Sequence, residues 1–442
     1  MNFRRSTIAL LLLCVLPSGG RASAPDADPL RITPDVAARL LAEAQSHSHA
    51  IAAAGARAEA ASQAAEAVRV WEDPVFSLGI WKPGVNGFTS SQMGNVIYGI
   101  EQKLPTFGRP DLMRGVAQAE ASRERLGVGL ETQKLRRDIR AALIALALAD
   151  ARIGYAVQSL GWLEDEAAAV DARYRVGKSR EVDWLRAQTA KVQAADLLTT
   201  LRAMREDQEI DMNRLLNRDL HGSWPIVALP AVADPVPFDE RLVSAALEFE
   251  PNLRILRQES VQQGAAAKLT RRQRLPEIGL GLEARQYSGD GSIREGTLTV
   301  DLSLPWINRR GYDADLRRDH ARIRAAEEET LESEQAVREA VHHDTVDLDA
   351  ARRQALLYRD QIIPLTEQTL ASARAAWEND LGTFQDVLEA HQMLVANQQA
   401  LAEATSEQAR RLADLTLLTG IDTLAPDENA SKARPDTHPF AP

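Results

Sequence analysis

The chain carries nearly the same pattern twice, about 200 residues apart, which restricts it to folds with two equivalent halves. Leu104-Pro105-Thr106-Phe107-Gly108-Arg109 returns as Leu304-Pro305-Trp306-Ile307-Asn308-Arg309, an offset of 200 residues. Tyr174 with Val182-Asp183-Trp184-Leu185-Arg186-Ala187-Gln188 returns as Trp377 with Gln385-Asp386-Val387-Leu388-Glu389-Ala390-His391, an offset of 203. Each copy runs in one order: short alternating segments, a Leu-Pro stop, a very long helical stretch, a glycine turn and a helical return. The expected boundaries are 34–217 for the first repeat, 218–238 for a link, 239–420 for the second repeat and 421–442 for a disordered tail. The link, rich in proline around His221-Gly222-Ser223-Trp224-Pro225, is expected to cross the surface.

Four segments alternate at the period of a strand. In 276–287, Ile278, Leu280, Leu282 and Ala284 share one face and Glu277, Gly279, Gly281, Glu283 and Arg285 the other. In 297–304, Leu298, Val300, Leu302 and Leu304 oppose Thr297, Thr299, Asp301 and Ser303. The first copy offers 74–81 and 96–104 at matching places, and the connections 82–95 and 288–296 have the Gly, Ser and Asn content of hairpin loops. Strands of this length cross a bilayer when tilted, and only a closed sheet can do so. Four strands cannot close around water, so several chains must each supply a share.

The long stretches follow. From Pro110 past Arg175 there is no proline, and Ile139, Leu143, Leu146, Ile153, Val157, Leu160, Ala167, Val170 and Tyr174 recur at helical steps. At 1.5 Å per residue such a helix reaches roughly 100 Å. The second copy runs from about Tyr312 to Trp377, with Pro364 as the expected kink, and shorter returns over 181–216 and 384–418 fold back along both. Hydrophobic residues are 45% of the chain and aromatic residues only 5%, so Ala and Leu dominate, which suits helix seams. The turns read Val176-Gly177-Lys178-Ser179 and Asp380-Leu381-Gly382-Thr383, with glycine for the turn and Ser179 or Thr383 as helix caps.

The N-terminus reads as an export signal over 1–24: Arg4 and Arg5, an apolar run from Ile8 to Leu16, then Ala22-Ser23-Ala24, with cleavage expected after residue 22 or 24. Cys14, the only cysteine, follows Leu13 where a lipidation motif needs a small residue, so no lipid anchor is expected. The mature chain then has no disulfide or thiolate ligand. No later segment is an uninterrupted apolar stretch of transmembrane-helix length.

These residues resemble the TolC-like outer-membrane factor (outer membrane efflux protein) family over about residues 34 to 420. The resemblance rests on Asp73-Pro74, on Gly99-Ile100-Glu101-Gln102-Lys103-Leu104-Pro105 with Gly108-Arg109, on the Leu304-Pro305 echo, and on the turns with their downstream Asp183 to Ala187 and Asp386 to Ala390 cores. It implies an α+β membrane protein: a homotrimer whose four strands per chain close a twelve-stranded β-barrel, with long antiparallel helical hairpins forming a periplasmic tunnel. It further implies that the hairpin tips, Val176, Gly177 and Ser179 with Leu381, Gly382 and Thr383, meet a periplasmic adaptor protein, which in turn meets an inner-membrane pump of the RND type or an ABC transporter. Some members narrow the periplasmic entrance with aspartates before the second turn. Here that stretch is Ala371 to Ala376, so Glu378 and Asp380 are the candidate entrance acids. The Asp73-Pro74 and Gln102-Lys103-Leu104-Pro105 elements look closest to the heavy-metal cation efflux branch.

Catalytic chemistry is not expected. His47 and His49, and His342 and His343, are not spaced to share an ion on one helix face, and there is no phosphate loop, nucleophile elbow or metal-protease helix. No cofactor is implied. A net charge of −11 gives no surface for nucleic acid. Drug efflux and type I protein secretion are the alternative duties of the same duct. A periplasmic adaptor or coiled-coil scaffold is the alternative class, disfavoured by two hairpin units and four strands.

Overall fold

The computed structural model describes residues 28–81, 95–287 and 291–421. The export signal, the lipidation and cleavage readings, the loop 82–94, most of the C-terminal tail and residues 288–290 lie outside the described residues. The element order is β1 (Leu30–Arg31), α1 (Pro34–His47), α2 (His49–Glu66), β2 (Val75–Trp81), β3 (Asn95–Lys103), α3 (Arg109–Arg175) and α4 (Glu181–Leu216). It continues with β4 (Val227–Ala228), α5 (Glu240–Phe249), α6 (Pro251–Arg272), β5 (Ile278–Gln286), β6 (Ile293–Leu302), α7 (Arg309–Leu357), α8 (Ile363–Glu378) and α9 (Phe384–Thr419). Two helices, two strands and a long helical hairpin thus occur twice in the same order.

Local chemistry sets the element ends. Thr33 and Ser48 cap α1 and α2 by accepting from Val36 N and Ile51 N. Both long helices follow a short 3₁₀ turn after the Leu-Pro stop, Thr106–Gly108 in one copy and Pro305–Asn308 in the other. At Pro364 the long helix of the second copy is not broken. A π-helical turn over Tyr358–Ile362, where Ile363 N bonds Tyr358 O, passes directly into α8. The wider turn accommodates a residue that has no N–H to donate.

Each copy builds its own core. Leu40, Leu41, Ala44, Ile139, Leu143, Leu146, Met212 and Leu216 pack in the first, and Leu242, Val243, Ala246, Val341, Leu348 and Leu415 in the second. α3 contains a stretch of mean hydropathy 1.3, long and apolar enough to cross a membrane by length and composition. Its side chains Leu143, Ile144, Leu146 and Ala147 are instead enclosed by neighbouring helices.

The link between the copies runs over the surface but is pinned to the helices at three points. Trp224, Val227 and Ala233 are buried, and β4 pairs in parallel with β1, Leu30 opposite Val227. A proline-rich segment has few partners for its own backbone, and side chains of the helices supply them. Asp150 accepts from Val227 N at 2.8 Å, Glu209 from Trp224 N at 2.8 Å, and Asn213 from the Trp224 indole at 2.8 Å. Gln408 holds both backbone groups of Ala233. Arg205 sits among Asp150 and Glu209, ion-paired to both, and also donates to the carbonyls of Trp224 and Pro225.

Candidate functional site: an apolar sheet face and paired hairpin tips

The four long strands form one antiparallel sheet in the order β2-β3-β5-β6. Register places Phe76, Ile100, Leu282 and Leu298 side by side across all four strands. Leu78 with Tyr98, and Leu280 with Val300, extend the same face, and every one of these side chains is exposed. The opposite face carries Glu101, Lys103, Glu283, Arg285, Glu295 and Asp301 among glycines and threonines, with Arg285 paired to Glu295 at 2.7 Å. A soluble sheet would bury its apolar face; here no described element covers it, which is the arrangement of a strand set between lipid and water. Among the described residues β2 and β6 are the edges. Lys103 pairs with Glu72, in the segment between α2 and β2, at 3.4 Å, and Arg109 at the start of α3 pairs with Glu277 beside β5, tying the base of the sheet to the first long helix.

At the far end of the helices the two hairpin tips lie together. Ala167 and Val170 of α3, Ala187 of α4, Trp377 of α8, and Phe384 and Val387 of α9 form one buried cluster. Each long helix ends in the same hydrogen-bonded motif. Gly177 N bonds Tyr174 O and Lys178 N bonds Arg173 O; Asp380 N bonds Trp377 O and Leu381 N bonds Ala376 O. The residue in left-handed conformation is Gly177 (φ 74°) in the first tip and Asp380 (φ 60°) in the second. The two tips therefore superpose at an offset of 203, and Gly382 is the counterpart of Ser179, not of Gly177. This explains why the interval from Gly177 to Asp183 differs from that between Gly382 and Asp386: both aspartates occupy the third position of their helix. Gly382 differs in its role, since it has no left-handed φ and a Cβ there would crowd Ala376 Cβ at 3.1 Å.

The expected caps divide. Thr383 caps α9 in a reciprocal box with Asp386, whose carboxyl the Thr383 hydroxyl and N–H hold below its usual range. Ser179 does not cap α4; the cap position is Arg180, one residue later, and the enclosed Ser179 hydroxyl has no partner among the described residues. Arg180 reaches the nearly buried Asp183 through two bonds of 3.1 and 3.2 Å. Val176 is 69% exposed and Leu381 86%, so each tip presents a bare apolar side chain.

The candidate entrance acids are exposed but not free. Asp380 pairs with Arg173, whose guanidinium lies 4.7 Å above the Trp377 ring and bonds Glu378 O at 3.3 Å. Glu378 pairs with Arg374 at 3.2 Å, and Arg374 also meets Glu166 at 2.9 Å. Glu166 is 2% exposed, and burial pushes its carboxyl above the usual range against the pull of Arg374. Arg173, Arg374 and Glu166 escape a reading of the sequence because their roles arise from contacts between the copies. The signal available was the Tyr174/Trp377 echo, which fixes the register.

One turn further from the tips, His391 stacks on Trp162 at 3.8 Å and meets Ser159 Oγ at 2.9 Å. Burial holds its ring down to about 4 from 6.5. The neutral ring's contribution is therefore complete above pH 6.5 and is lost as the pH falls toward 4, because the unfolded chain takes up the proton first. Glu166 has the opposite sign, its raised value favouring the fold on acidification. His391→Phe is expected to flatten the acid side of the stability profile, checked by melting temperature across pH 7 to 4; an unchanged profile would contradict the buried neutral ring.

Asp380→Gly and Asp380→Ala separate strain from charge at the second tip. Both remove the exposed pair with Arg173, worth only a few tenths to about 1 kcal/mol, while glycine alone relieves the left-handed backbone. The alanine variant is expected to be less stable than the glycine variant by about 1 kcal/mol, read as a difference in melting temperature.

An uncovered apolar sheet below which two coupled helical hairpins extend is the arrangement of a membrane-embedded protein with a long helical extension. The model of the outer membrane efflux protein family matches residues 40–218 and 242–421, one match on each copy, and the chain belongs to that family. Its sheet accordingly lies in the outer membrane and its helices in the periplasm. Among solved structures, the outer-membrane channel OprN is similar over 87% of this chain and 90% of its own, at 18% identity and a TM-score of 0.76. CusC, described in terms of transmembrane channel formation, is 16% identical over 87% of this chain and 92% of its own, with a TM-score of 0.75. The outer membrane protein VceC from Vibrio cholerae is 17% identical over 87% and 96%, with a TM-score of 0.72. No curated protein sequence matches the chain.

Proposed function

We propose that three copies of this chain close a twelve-stranded barrel and a periplasmic tunnel, forming the passive exit duct of a tripartite pump for heavy-metal cations. The observation that carries the reading is the register-aligned apolar face on a four-stranded sheet with two open edges. Such a sheet needs lipid on one side and further strands at both ends, which two more copies supply. Val176, Gly177 and Ser179 with Leu381, Gly382 and Thr383 are the adaptor-docking tips, supported by the bare Val176 and Leu381 side chains. The energy source is an inner-membrane pump of the RND type, with an ABC transporter as the other pump type that fits the same duct. The carboxylates Glu101, Glu283, Glu295 and Asp301 outnumber Lys103 and Arg285 on the polar sheet face, which favours cations in the lumen. The metal reading also rests on Asp73-Pro74 and the Gln102 to Arg109 element.

Cargo is tested by intracellular zinc, cobalt, cadmium, copper and silver, alongside a fluorescent drug-like dye, in cells with and without the gene. Metal excess only in the deletion is expected. Dye retention with unchanged metal would replace the cation assignment with drug efflux.

A further inference from the structure

At the base of the sheet the two copies differ. In the first, Arg109 opens α3 already paired to Glu277, and Asp111 lies in the same turn. In the second, α7 opens on Arg309 and Arg310 with no acid in its first turn, against the usual preference for negative charge at that end. Asp313, one turn on, is shared between Arg274 and Arg309, the latter at 3.8 Å. Arg310 is exposed and has no ion pair among the described residues.

Immediately before these arginines stand Trp306, 58% exposed, and Ile307, 71% exposed. They continue from Leu298, Val300, Leu302 and Leu304, the exposed apolar positions of β6 and its exit. Ile307, Asn308, Arg309, Arg310, Gly311 and Asp313 line an open groove of about 750 Å³. Apolar side chains at the rim of a lipid-facing surface, followed at once by two adjacent guanidinium groups of which Arg310 has no ion pair among the described residues, match the boundary between acyl chains and phosphates.

We propose that this rim is a docking surface for anionic phospholipid of the periplasmic leaflet, with Trp306 and Ile307 among the acyl chains and Arg309 and Arg310 on the headgroup phosphate. Continuity with the lipid-facing sheet favours lipid over a soluble phosphate, and the unpaired charge favours an anionic headgroup over a zwitterionic one. The inference rests on the outer-membrane placement of the sheet. It adds a lipid preference at one copy of the duplicated Leu-Pro junction and not at the other.

The test is lipid retention by the purified full-length protein in detergent, measured by native mass spectrometry with phosphatidylglycerol or phosphatidylcholine. R309Q/R310Q is expected to lower phosphatidylglycerol retention about tenfold and leave phosphatidylcholine unchanged, since it removes both basic groups from the rim. R309K/R310K should retain the lipid, and R109Q should behave as the parent. Equal retention by R309Q/R310Q and the parent would overturn the proposal. So would W306S/I307S dissociating the oligomer with lipid retention intact, because a neighbouring copy would then be what covers the rim. A protein that is soluble without detergent would instead refute the membrane placement.

Discussion

Leu282→Arg is expected to abolish assembly of the channel in the outer membrane. Leu282 is central in β5 and stands between Ile100 and Leu298 on the exposed apolar face. A guanidinium near the bilayer midplane costs roughly 2–4 kcal/mol, and an assembled trimer would carry three of them. Thr297→Arg is the matched control. Thr297 lies opposite Glu283 on the polar face, where the new charge gains a carboxylate neighbour and stays in water. Outer-membrane fractions resolved on unheated gels should show the oligomer for Thr297→Arg and lose it for Leu282→Arg. Equal amounts for both would mean that the two faces do not divide lipid from water.

Arg205→Ala is expected to give the other large effect, through the link between the copies. The side chains of Arg205, Asp150 and Glu209 are 17%, 6% and 14% exposed, so removing the arginine leaves two acids enclosed without their cation. Breaking one partner of such a buried network costs about 3–5 kcal/mol, more than the whole packing value of most single side chains in this alanine-rich core. The consequence reaches beyond charge, because Asp150 and Glu209 also receive the N–H groups of Val227 and Trp224. Adding Asp150→Asn should recover part of the loss, since asparagine keeps an acceptor for Val227 N–H and removes one buried charge. The check is the melting temperature of the three proteins. Indifference of the melting temperature to Arg205→Ala would show that the link is held by Trp224 and Val227 packing alone.

Much of this architecture is legible in the residues because it depends on short-range periodicity. The strand segments around Leu298 to Leu302 and Ile278 to Ala284 declare themselves by alternation, and the return helix starting at Glu181 by its turn and helical spacing. The duplication made each copy a check on the other. What the residues do not announce is whatever depends on which group meets which across distant segments. The burial of Trp224 and Ala233 in the link is set by acceptors on α3, α4 and α9, far away in sequence. At the tips, matching glycine to glycine gives the wrong register. The left-handed position is filled by glycine in one copy and aspartate in the other, and only the backbone bonds from Gly177 and Asp380 identify the true counterparts. The cap assigned to Ser179 fails for the same reason, since the cap position is Arg180 and its counterpart is Thr383.

The most direct test of a trimeric membrane duct is single-particle imaging of the full-length protein in lipid nanodiscs. The expected result is a three-fold ring embedded in the disc, with a helical tube projecting from one side by roughly 100 Å, the length of a helix such as α3. Particles that lie outside the disc, or that enter it as single chains with the apolar sheet face folded against their own helices, would contradict it.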